Sequence, residues 1–254
     1  MDIDKSSSGP RVVLVTGAGT GIGRSVAREF AAGGDLVVAV GRREGPLAET
    51  ADGFPGIRVL AGDLTGDGEP ERIVREVLRA YGRLDVLVNN AGIVRAGALG
   101  AVAAGDVARQ LGVNLVAPVL LTQAALPALT ASGAGVVVNV STAVGLRAWP
   151  GASVYAATKA ALDTLTRSWA VELAPRGVRV VAVAPGAVDT PIGEHQGLSP
   201  ERAAEVRAWQ VAHTPLGRVG RPEEIAWAVR RLADPAASFL TGVVVPVDGG
   251  ASVA

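Results

Sequence analysis

The chain of 254 residues contains no cysteine, and this absence excludes disulfide bonds, thiolate nucleophiles and zinc sites built on cysteine. It has only two histidines, His195 and His213, whose spacing matches no familiar metal motif, so we expect no metal site. A G-x-S-x-G nucleophile elbow is also missing, which argues against a Ser-His-Asp hydrolase.

The formal net charge is zero, because 24 basic side chains balance 24 acidic ones. A protein that binds nucleic acid or an anionic membrane surface would show a basic excess on one face, so we expect neither partner. A small molecule is the expected partner instead.

Long apolar runs are missing too: none reaches the roughly 20 residues of a membrane-spanning helix. The first ten residues, MDIDKSSSGP, are polar and lack the apolar core of a signal peptide. We therefore expect a cytoplasmic protein with no membrane segment, a flexible tail over 1–10 and one domain over 11–254.

Short β-branched runs alternate with segments of helical periodicity along the chain. The runs are apolar at every position, which is typical of strands buried on both faces of a parallel sheet. Alternation of strand and helix predicts an α/β fold, a doubly wound, Rossmann-like parallel sheet with helices on both faces. The predicted strands are 11–16, 36–40, 57–61, 84–89, 135–141, 178–185 and 242–247, and the predicted helices are 22–33, 70–81, 106–130, 153–174 and 222–233.

Between the last two predicted strands lies the least regular region of the sequence, residues 189–217. Its length fits a mobile lid over a substrate site. We call this segment the lid region.

A glycine-rich turn, TGAGTGIGR, follows the first predicted strand directly and leads into a helix. Glycines allow a tight turn and a close approach of the backbone to a pyrophosphate, whose charge then lies at the helix N-terminus. The pattern is G-x-x-x-G-x-G, from Gly17 through Gly21 to Gly23, with Ile22 where G-x-G-x-x-G requires its last glycine. The context predicts a dinucleotide site.

The end of the second strand bears on the choice of dinucleotide. An NAD site usually places an acid there for the ribose hydroxyls, whereas this chain has Gly41 followed by Arg42 and Arg43. Arginine can pair with a 2′-phosphate, so the sequence favours NADP(H) over NAD(H), which stays an alternative. Both arginines could also be solvated residues that lead into a helix.

Lysine is almost as rare as cysteine: apart from Lys5 in the tail, the only one is Lys159. It follows Tyr155 by four residues in a helical segment, so both side chains lie on one face about one turn apart. A nearby ammonium favours a phenolate and lowers the pKa of the tyrosine, which makes the pair a plausible unit for proton transfer.

Several motifs in a fixed order resemble those of the short-chain dehydrogenase/reductase family. They are TGAGTGIG (16–23), DL (63–64), NNAG (89–92), GVNL around Asn114, YAATK (155–159), PGAVDTP (185–191) and FLTGVVVPVDGG (239–250). The match runs from Arg11 to about Gly250, and the layout is most similar to the 3-oxoacyl-carrier-protein reductase type.

The resemblance implies a role for each matching position. Tyr155 would be the general acid/base, Lys159 would lower its pKa and hold the nicotinamide ribose, and Asn114 would anchor a water relay to Lys159. The cofactor-binding set would comprise Gly17, Thr20, Gly21, Ile22, Gly23, Arg42, Arg43, Asp63, Leu64, Asn90, Gly92, Tyr155, Lys159, Gly186, Val188 and Thr190, with Asp63 and Leu64 flanking the adenine and the 186–190 turn binding the carboxamide.

The family's remaining catalytic residue is a serine separated from the tyrosine by twelve residues. Counting back from Tyr155 selects Thr142, which keeps the hydroxyl but adds a methyl group and stiffens χ1. Adjacent strand residues face opposite sides, so Thr142 and its neighbour Ser141 cannot both point into the cleft. A shift in register that puts Ser141 in the site is the alternative.

The leading hypothesis is an NADPH-dependent reductase of a ketone or 3-oxo group to a secondary alcohol. The alternatives are an NAD-dependent secondary-alcohol dehydrogenase, a catalytically silent nucleotide-binding regulatory protein, and an epimerase or dehydratase of nucleotide sugars. Trp149 and Trp209 are candidate pocket walls for the carbonyl or alcohol substrate beside Thr142 and Tyr155, although either could be ordinary packing. The family resemblance also implies a homotetramer built through the helices at 106–130 and 153–174 and the C-terminal strand.

Overall fold

The valine-rich runs of the sequence form the strands, because a strand covered by helices on both faces needs apolar side chains at every position. The computed structural model describes residues 9–143, 151–192 and 199–254. Its strands are β1 (Val12–Thr16), β2 (Leu36–Gly41), β3 (Ile57–Ala61), β4 (Val86–Asn89), β5 (Val136–Val140), β6 (Arg179–Pro185) and β7 (Val244–Val247). They make one parallel sheet in the order β3-β2-β1-β4-β5-β6-β7, which confirms the predicted doubly wound fold.

Helices cover both faces of the sheet. They are α1 (Gly21–Ala32), α2 (Glu44–Ala51), α3 (Glu69–Tyr81), α4 (Ala104–Leu111), α5 (Ala117–Ala131), α6 (Ser153–Leu173), α7 (Pro200–Ala212) and α8 (Pro222–Leu232). Alternate residues of one strand pack on opposite faces: Val13 and Val15 lie in the core under α1 and α8, and Val12 and Leu14 lie in the core under α3 and α5.

Three helical features differ from the sequence-based expectation. A π-helical turn, Gly112–Val116, separates α4 from α5 within the predicted helix 106–130. Helix α2 was not predicted, and α7 occupies much of the lid region that was expected to be irregular. Helix α7 begins where the Ser199 side chain accepts a hydrogen bond from Arg202 N and proline takes the first turn, which are recognised start signals.

The helical stretch 104–131 is long and apolar enough, by length and composition alone, to cross a membrane. This differs from the expectation that no such segment exists. Core helices of globular folds satisfy the same two criteria, and Leu121, Ala125 and Leu129 of this helix are fully buried. One third of its most apolar window is buried, so packing in the core accounts for part of its apolar composition.

A buried polar network ties two strands to the helices that lie over them. Asn89 and Asn139 are paired residues on β4 and β5, and Asn89 Nδ2 donates to Asn139 Oδ1 at 2.9 Å and to Thr122 Oγ1 at 3.1 Å. Asn139 Nδ2 in turn donates to Thr166 Oγ1 of α6 at 2.9 Å. Since buried polar groups are costly when unpaired, the network fixes α5 and α6 relative to the carboxyl ends of the strands.

Candidate active site

The order in which strands are added to the sheet reverses between β1 and β4. Strands β2 and β3 lie on one side of β1, and β4 to β7 follow on its other side. In open α/β sheets this switch point leaves a crevice at the carboxyl ends of the strands, where ligands bind. The glycine-rich turn after β1 and the NNAG segment after β4 both lie at this crevice.

The glycine-rich turn depends on two close approaches. Gly17 has a φ of 63°, and a Cβ at this position would lie 2.8 Å from Ala91 Cα. A Cβ on Gly23 would collide with the Gly17 carbonyl oxygen. Glycine is therefore required at both positions for the chain to turn into α1.

The N-terminus of α1 suits an anion. Its N-cap residue, Thr20, makes no side-chain capping hydrogen bond, and no acidic side chain lies in the first turn. The amides of this turn thus keep their capacity to bind a phosphate group. The side chain of Ile22 packs against the core under α1.

Thr16 and Asn90 hold the glycine-rich turn against the segment after β4. Asn90 Nδ2 donates to Thr16 O at 2.8 Å, and Thr16 Oγ1 accepts from Asn90 N and Ala91 N at 3.0 Å each. Asn90 thereby shapes the cleft from behind, with its amide engaged by the main chain.

The residues expected around the adenosine end lie at the ends of β2 and β3. Arg42 and Arg43 are exposed, and neither forms an ion pair within 4 Å to a described residue. Asp63 Oδ1 accepts hydrogen bonds from Thr65 Oγ1 at 2.7 Å and Thr65 N at 3.1 Å, and these bonds, with a smaller effect from the charge of Arg42, lower the pKa of Asp63. Leu64 beside it is half-buried.

The turn at 186–190 closes the other side of the cleft. Gly186 is needed because a Cβ there would lie 2.8 Å from Asp248 Cα. Val188 forms an isolated bridge with Gly220 through Ala187 O and Asp189 N, the main-chain groups on either side of it. Thr190 lies against Gly21, so this turn and the glycine-rich turn meet across the cleft.

Tyr155 and Lys159 project from the first turns of α6, as the sequence predicts. Lys159 is only 3% exposed, and its Nζ donates to Val140 O, at the end of β5, at 2.8 Å. Gly92 lies between Lys159 and Asn114, since a Cβ on it would be 3.5 Å from both Lys159 Nζ and Asn114 Oδ1. The Tyr155, Lys159, Asn114 and Gly92 positions are thus brought together.

Asn114 lies in the π-helical turn, and such turns are frequent at functional sites. Its Oδ1 accepts from Ile93 N at 2.8 Å, and its Nδ2 donates to Ile93 O at 2.9 Å and to Thr158 Oγ1 at 3.2 Å. The amide therefore clamps the segment after NNAG to the first turn of α6.

Thr142 and Ser141 are neighbours just after β5 but contact different groups, and Thr142 Oγ1 donates to Pro185 O at 3.4 Å. The Thr142 side chain is hydrogen-bonded to Tyr155, whereas Ser141 Oγ contacts Lys159 O at 3.4 Å and is hydrogen-bonded to Asp163. Of the two hydroxyls, Thr142 is the one beside the tyrosine, which is the arrangement the spacing predicts.

Burial dominates the ionisation of the central pair. It raises the pKa of Tyr155, and the hydrogen bond to Thr142 opposes this effect only in part. Burial also lowers the pKa of Lys159 to about 8, while the charge of Asp163 raises it. Lys159 is not among the groups that shift the Tyr155 pKa here, so the lowering expected from Lys159 stays a prediction.

Gln110 of α4 was missed by the sequence analysis. It is fully buried, and its Oε1 accepts from Arg95 N at 3.0 Å, one turn before the Asn114 clamp on the same segment. A polar residue at one position of an amphipathic helix carries no signal of this contact. Gln110 and Asn114 together fix the 93–95 strip that borders the cleft.

The remaining candidate residues lie in or beside the lid region. Trp149 and His195 fall outside the described residues. Trp209 of α7 is 43% exposed, and its ring stacks on His213 with centroids 4.0 Å apart. Within 9–143, 151–192 and 199–254, no group of three or more histidine or acidic residues could hold a metal ion.

Comparison with known proteins gives matches along nearly the whole chain. A family model described as enoyl-(acyl carrier protein) reductase matches residues 17–252. A 3-oxoacyl-(acyl-carrier-protein) reductase of Thermotoga maritima is 39% identical over 244 residues, which cover 94% of this chain and 97% of the relative.

Two solved structures are similar in both fold and sequence. A 3-ketoacyl-(acyl-carrier-protein) reductase from Brucella melitensis, complexed with NADH, has a TM-score of 0.90 and 33% identity, covering 97% of this chain and 100% of that one. A short-chain dehydrogenase/reductase of unknown function from Caenorhabditis elegans, solved with cofactor, has a TM-score of 0.88 and 34% identity, covering 96% of each chain.

Burial of Lys159 predicts a pH-dependent component of stability. Its pKa is about 8 in the folded chain and 10.5 in the unfolded one, so between these values only the unfolded chain keeps the proton. The free energy of unfolding should therefore rise with pH across this window by about 1.4 kcal/mol per unit, and stay level below pH 8. Lys159→Met should remove this slope.

Urea unfolding at pH 7.5, 8.5 and 9.5 measures this slope of the free energy of unfolding against pH, with Lys5→Met as the control for a lysine in the tail. Equal slopes in the wild type and Lys159→Met would contradict a buried ammonium.

Proposed function

Because the chain belongs to the short-chain dehydrogenase/reductase family and is an oxidoreductase of that family, we propose that it is an NADPH-dependent reductase of a ketone or 3-oxo group. One observation carries the proposal: the hydroxyl of Thr142 is bonded to Tyr155 beside a cleft, with Lys159 directly behind them. The relatives named as 3-oxoacyl and 3-ketoacyl reductases support a carbonyl substrate of this class.

The cofactor site fits a dinucleotide. When bound, its nicotinamide ring supplies the hydride that reduces the carbonyl carbon. The glycine-rich turn and the open N-terminus of α1 would hold the pyrophosphate, Asp63 and Leu64 would flank the adenine, and the Val188 main chain would bind the carboxamide. Exposed Arg42 and Arg43 bind the 2′-phosphate, which makes NADPH the preferred form over NADH.

Tyr155 donates the proton to the carbonyl oxygen. The raised pKa keeps its hydroxyl protonated near neutral pH, which is the form that a reduction requires. Thr142, bonded to it, orients the same oxygen and polarises the carbonyl. Oxidation of the alcohol uses the same residues with the proton moving in the opposite direction.

Lys159 supports this step with its charge and its spare donors. An ammonium has three N–H groups, and among the described residues only Val140 O accepts from Lys159. The others hold the nicotinamide ribose hydroxyls and a water that leads to Asn114. Asn114 and Gln110 keep the 93–95 strip, and so the cleft border, in place.

The lid region closes the substrate side of the cleft. Arg207 of α7 donates to Asp189 at 2.6 Å, which ties this helix to the turn that carries Val188. Both side chains are largely exposed, so the tie is weak enough to open when substrate enters. Trp209 of α7, which is 43% exposed, stays the candidate apolar wall for the substrate.

The protein is a cytoplasmic homotetramer in this proposal. One apolar groove lies between α5 and α6 and is lined by Leu115, Val116, Val119, Ala161, Thr164 and Leu165. Exposed apolar side chains also lie on α8 and in the C-terminal part of the chain, at Trp227, Phe239, Leu240 and Val253. If each of these two regions packs on its own copy, the chain forms a dimer of dimers.

Replacing Tyr155 by phenylalanine tests the function. Tyr155→Phe removes the proton donor and should lower turnover by about 10²- to 10⁴-fold, while NADPH binding followed by its fluorescence stays nearly unchanged. The assay is NADPH consumption with a panel of ketones and 3-oxoacyl thioesters. Turnover retained in Tyr155→Phe would refute the mechanism.

The choice of hydroxyl is tested by a matched pair at one position. Thr142→Ala should lower kcat by about 10²- to 10³-fold, because a donor that polarises the carbonyl is lost. Thr142→Ser keeps the hydroxyl and should retain most of the activity. Equal losses in both variants would show that the methyl group, rather than the hydroxyl, matters.

Cofactor choice is tested at the end of β2. The double variant Arg42→Ala/Arg43→Ala should raise the KM for NADPH by about 10- to 100-fold, as expected for lost charged hydrogen bonds, and leave the KM for NADH unchanged. Arg58→Ala removes an exposed arginine from neighbouring β3 and serves as the control. A parallel rise for both cofactors would contradict recognition of the 2′-phosphate.

A further inference from the structure

Asp163 is a buried carboxylate for which the mechanism gives no task. It follows Lys159 by one turn on the same face of α6, and the two side chains are only 4% and 3% exposed. Burying either charge alone would be costly, whereas two opposite charges in one apolar setting stabilise each other. The placement of this acid behind the ammonium therefore calls for a functional explanation.

Ser141 connects Asp163 to the strand that carries Thr142. Its Oγ donates to the Lys159 carbonyl oxygen at 3.4 Å, and Ser141 is one of the groups that lower the pKa of Asp163 against the effect of burial. Asp163 Oδ1 has no hydrogen-bond partner among the described residues, although it is buried. A carboxylate with an oxygen that accepts no hydrogen bond acts on its surroundings mainly through its charge.

The charged groups that act on Asp163 are few. Among the described residues they are Lys159 and Arg167, both on α6. The end of β5 contributes the uncharged Asn139, Ser141 and Thr142, and the π-helical turn contributes Asn114. Helix α4 also packs on α6 and carries Asp106 and Arg109, but neither is among the charges that act on Asp163. Asp163 is thus the one acid close to Lys159 in the part of the chain that the structure describes.

We propose that Asp163 is a positioning residue whose charge stabilises the ammonium of Lys159, which is buried one turn before it on the same face of α6. The inference rests on the proposed function only in that Lys159 serves the reaction. Burial favours the neutral amine, and the charge of Asp163 opposes it. Ser141 in turn favours the ionised form of Asp163, against the burial that raises the pKa of this carboxyl.

The rarity of lysine allows a direct test that needs no activity. Protein labelled with ¹³C-lysine gives side-chain signals from Lys5 and Lys159 alone, and Lys5→Arg leaves Lys159 as the single signal. Titration of this signal by NMR gives the midpoint of Lys159. Asp163→Asn should lower the midpoint by about one pH unit or more, as expected for loss of a nearby opposite charge.

Two further variants separate charge from packing. Ser141→Ala should lower the midpoint by a smaller amount, because Asp163 loses the bond that favours its ionised form. Thr166→Val, one turn further along α6, breaks the buried bond to Asn139 without changing any charge and should leave the midpoint in place. A midpoint unchanged in both Asp163→Asn and Ser141→Ala, or equal shifts in all three variants, would overturn the proposal.

Turnover supplies a second readout. In Asp163→Asn the alkaline limb of the kcat profile should move to lower pH by the same amount as the lysine signal. A shifted signal with an unshifted limb would support the role of Asp163 in ionisation and count against the use of Lys159 in the reaction. The failures of the two proposals are therefore distinguishable.

Discussion

The contact between the end of β5 and the first two thirds of α6 is the constraint on which the site depends. Four consecutive residues of the chain each bond to this helix: Asn139 to Thr166, Val140 to Lys159, Ser141 to Lys159 and Asp163, and Thr142 to Tyr155. Because these bonds all join the same two elements, a small shift of α6 would disturb all of them. The strand fixes the helix, and the helix presents the reactive groups.

This contact shifts the pKa of two side chains, Tyr155 and Lys159, away from their ordinary values. Burial raises the pKa of Tyr155 and lowers that of Lys159 to about 8, so the pair is neutral phenol and weakly held ammonium near neutral pH. Such perturbed groups cluster where chemistry occurs, and the fold offsets their cost elsewhere. Here the buried amide network beneath and the valine core around the strands supply the offsetting stability.

The sequence was sufficient for the parts of the structure that rest on local pattern. Continuous apolar runs predicted the strands, and counting from Tyr155 selected Thr142 over Ser141. It failed where a residue's role depends on distant packing: Gln110 and Asp163 look like ordinary polar positions on helices until the fold buries them. Burial also raises the pKa of Tyr155, which the sequence could not show, because desolvation depends on packing between distant parts of the chain.

The most direct test of the central claim follows the hydride itself. The protein is incubated with NADPH that carries deuterium at C4 and with a panel of ketones and 3-oxoacyl thioesters, and the products are analysed by mass spectrometry. The account predicts deuterium on the carbinol carbon of an alcohol product, formed by the wild type and not by Tyr155→Phe. Tight NADPH binding without deuterium transfer to any carbonyl would contradict it and indicate a nucleotide-binding protein without this chemistry.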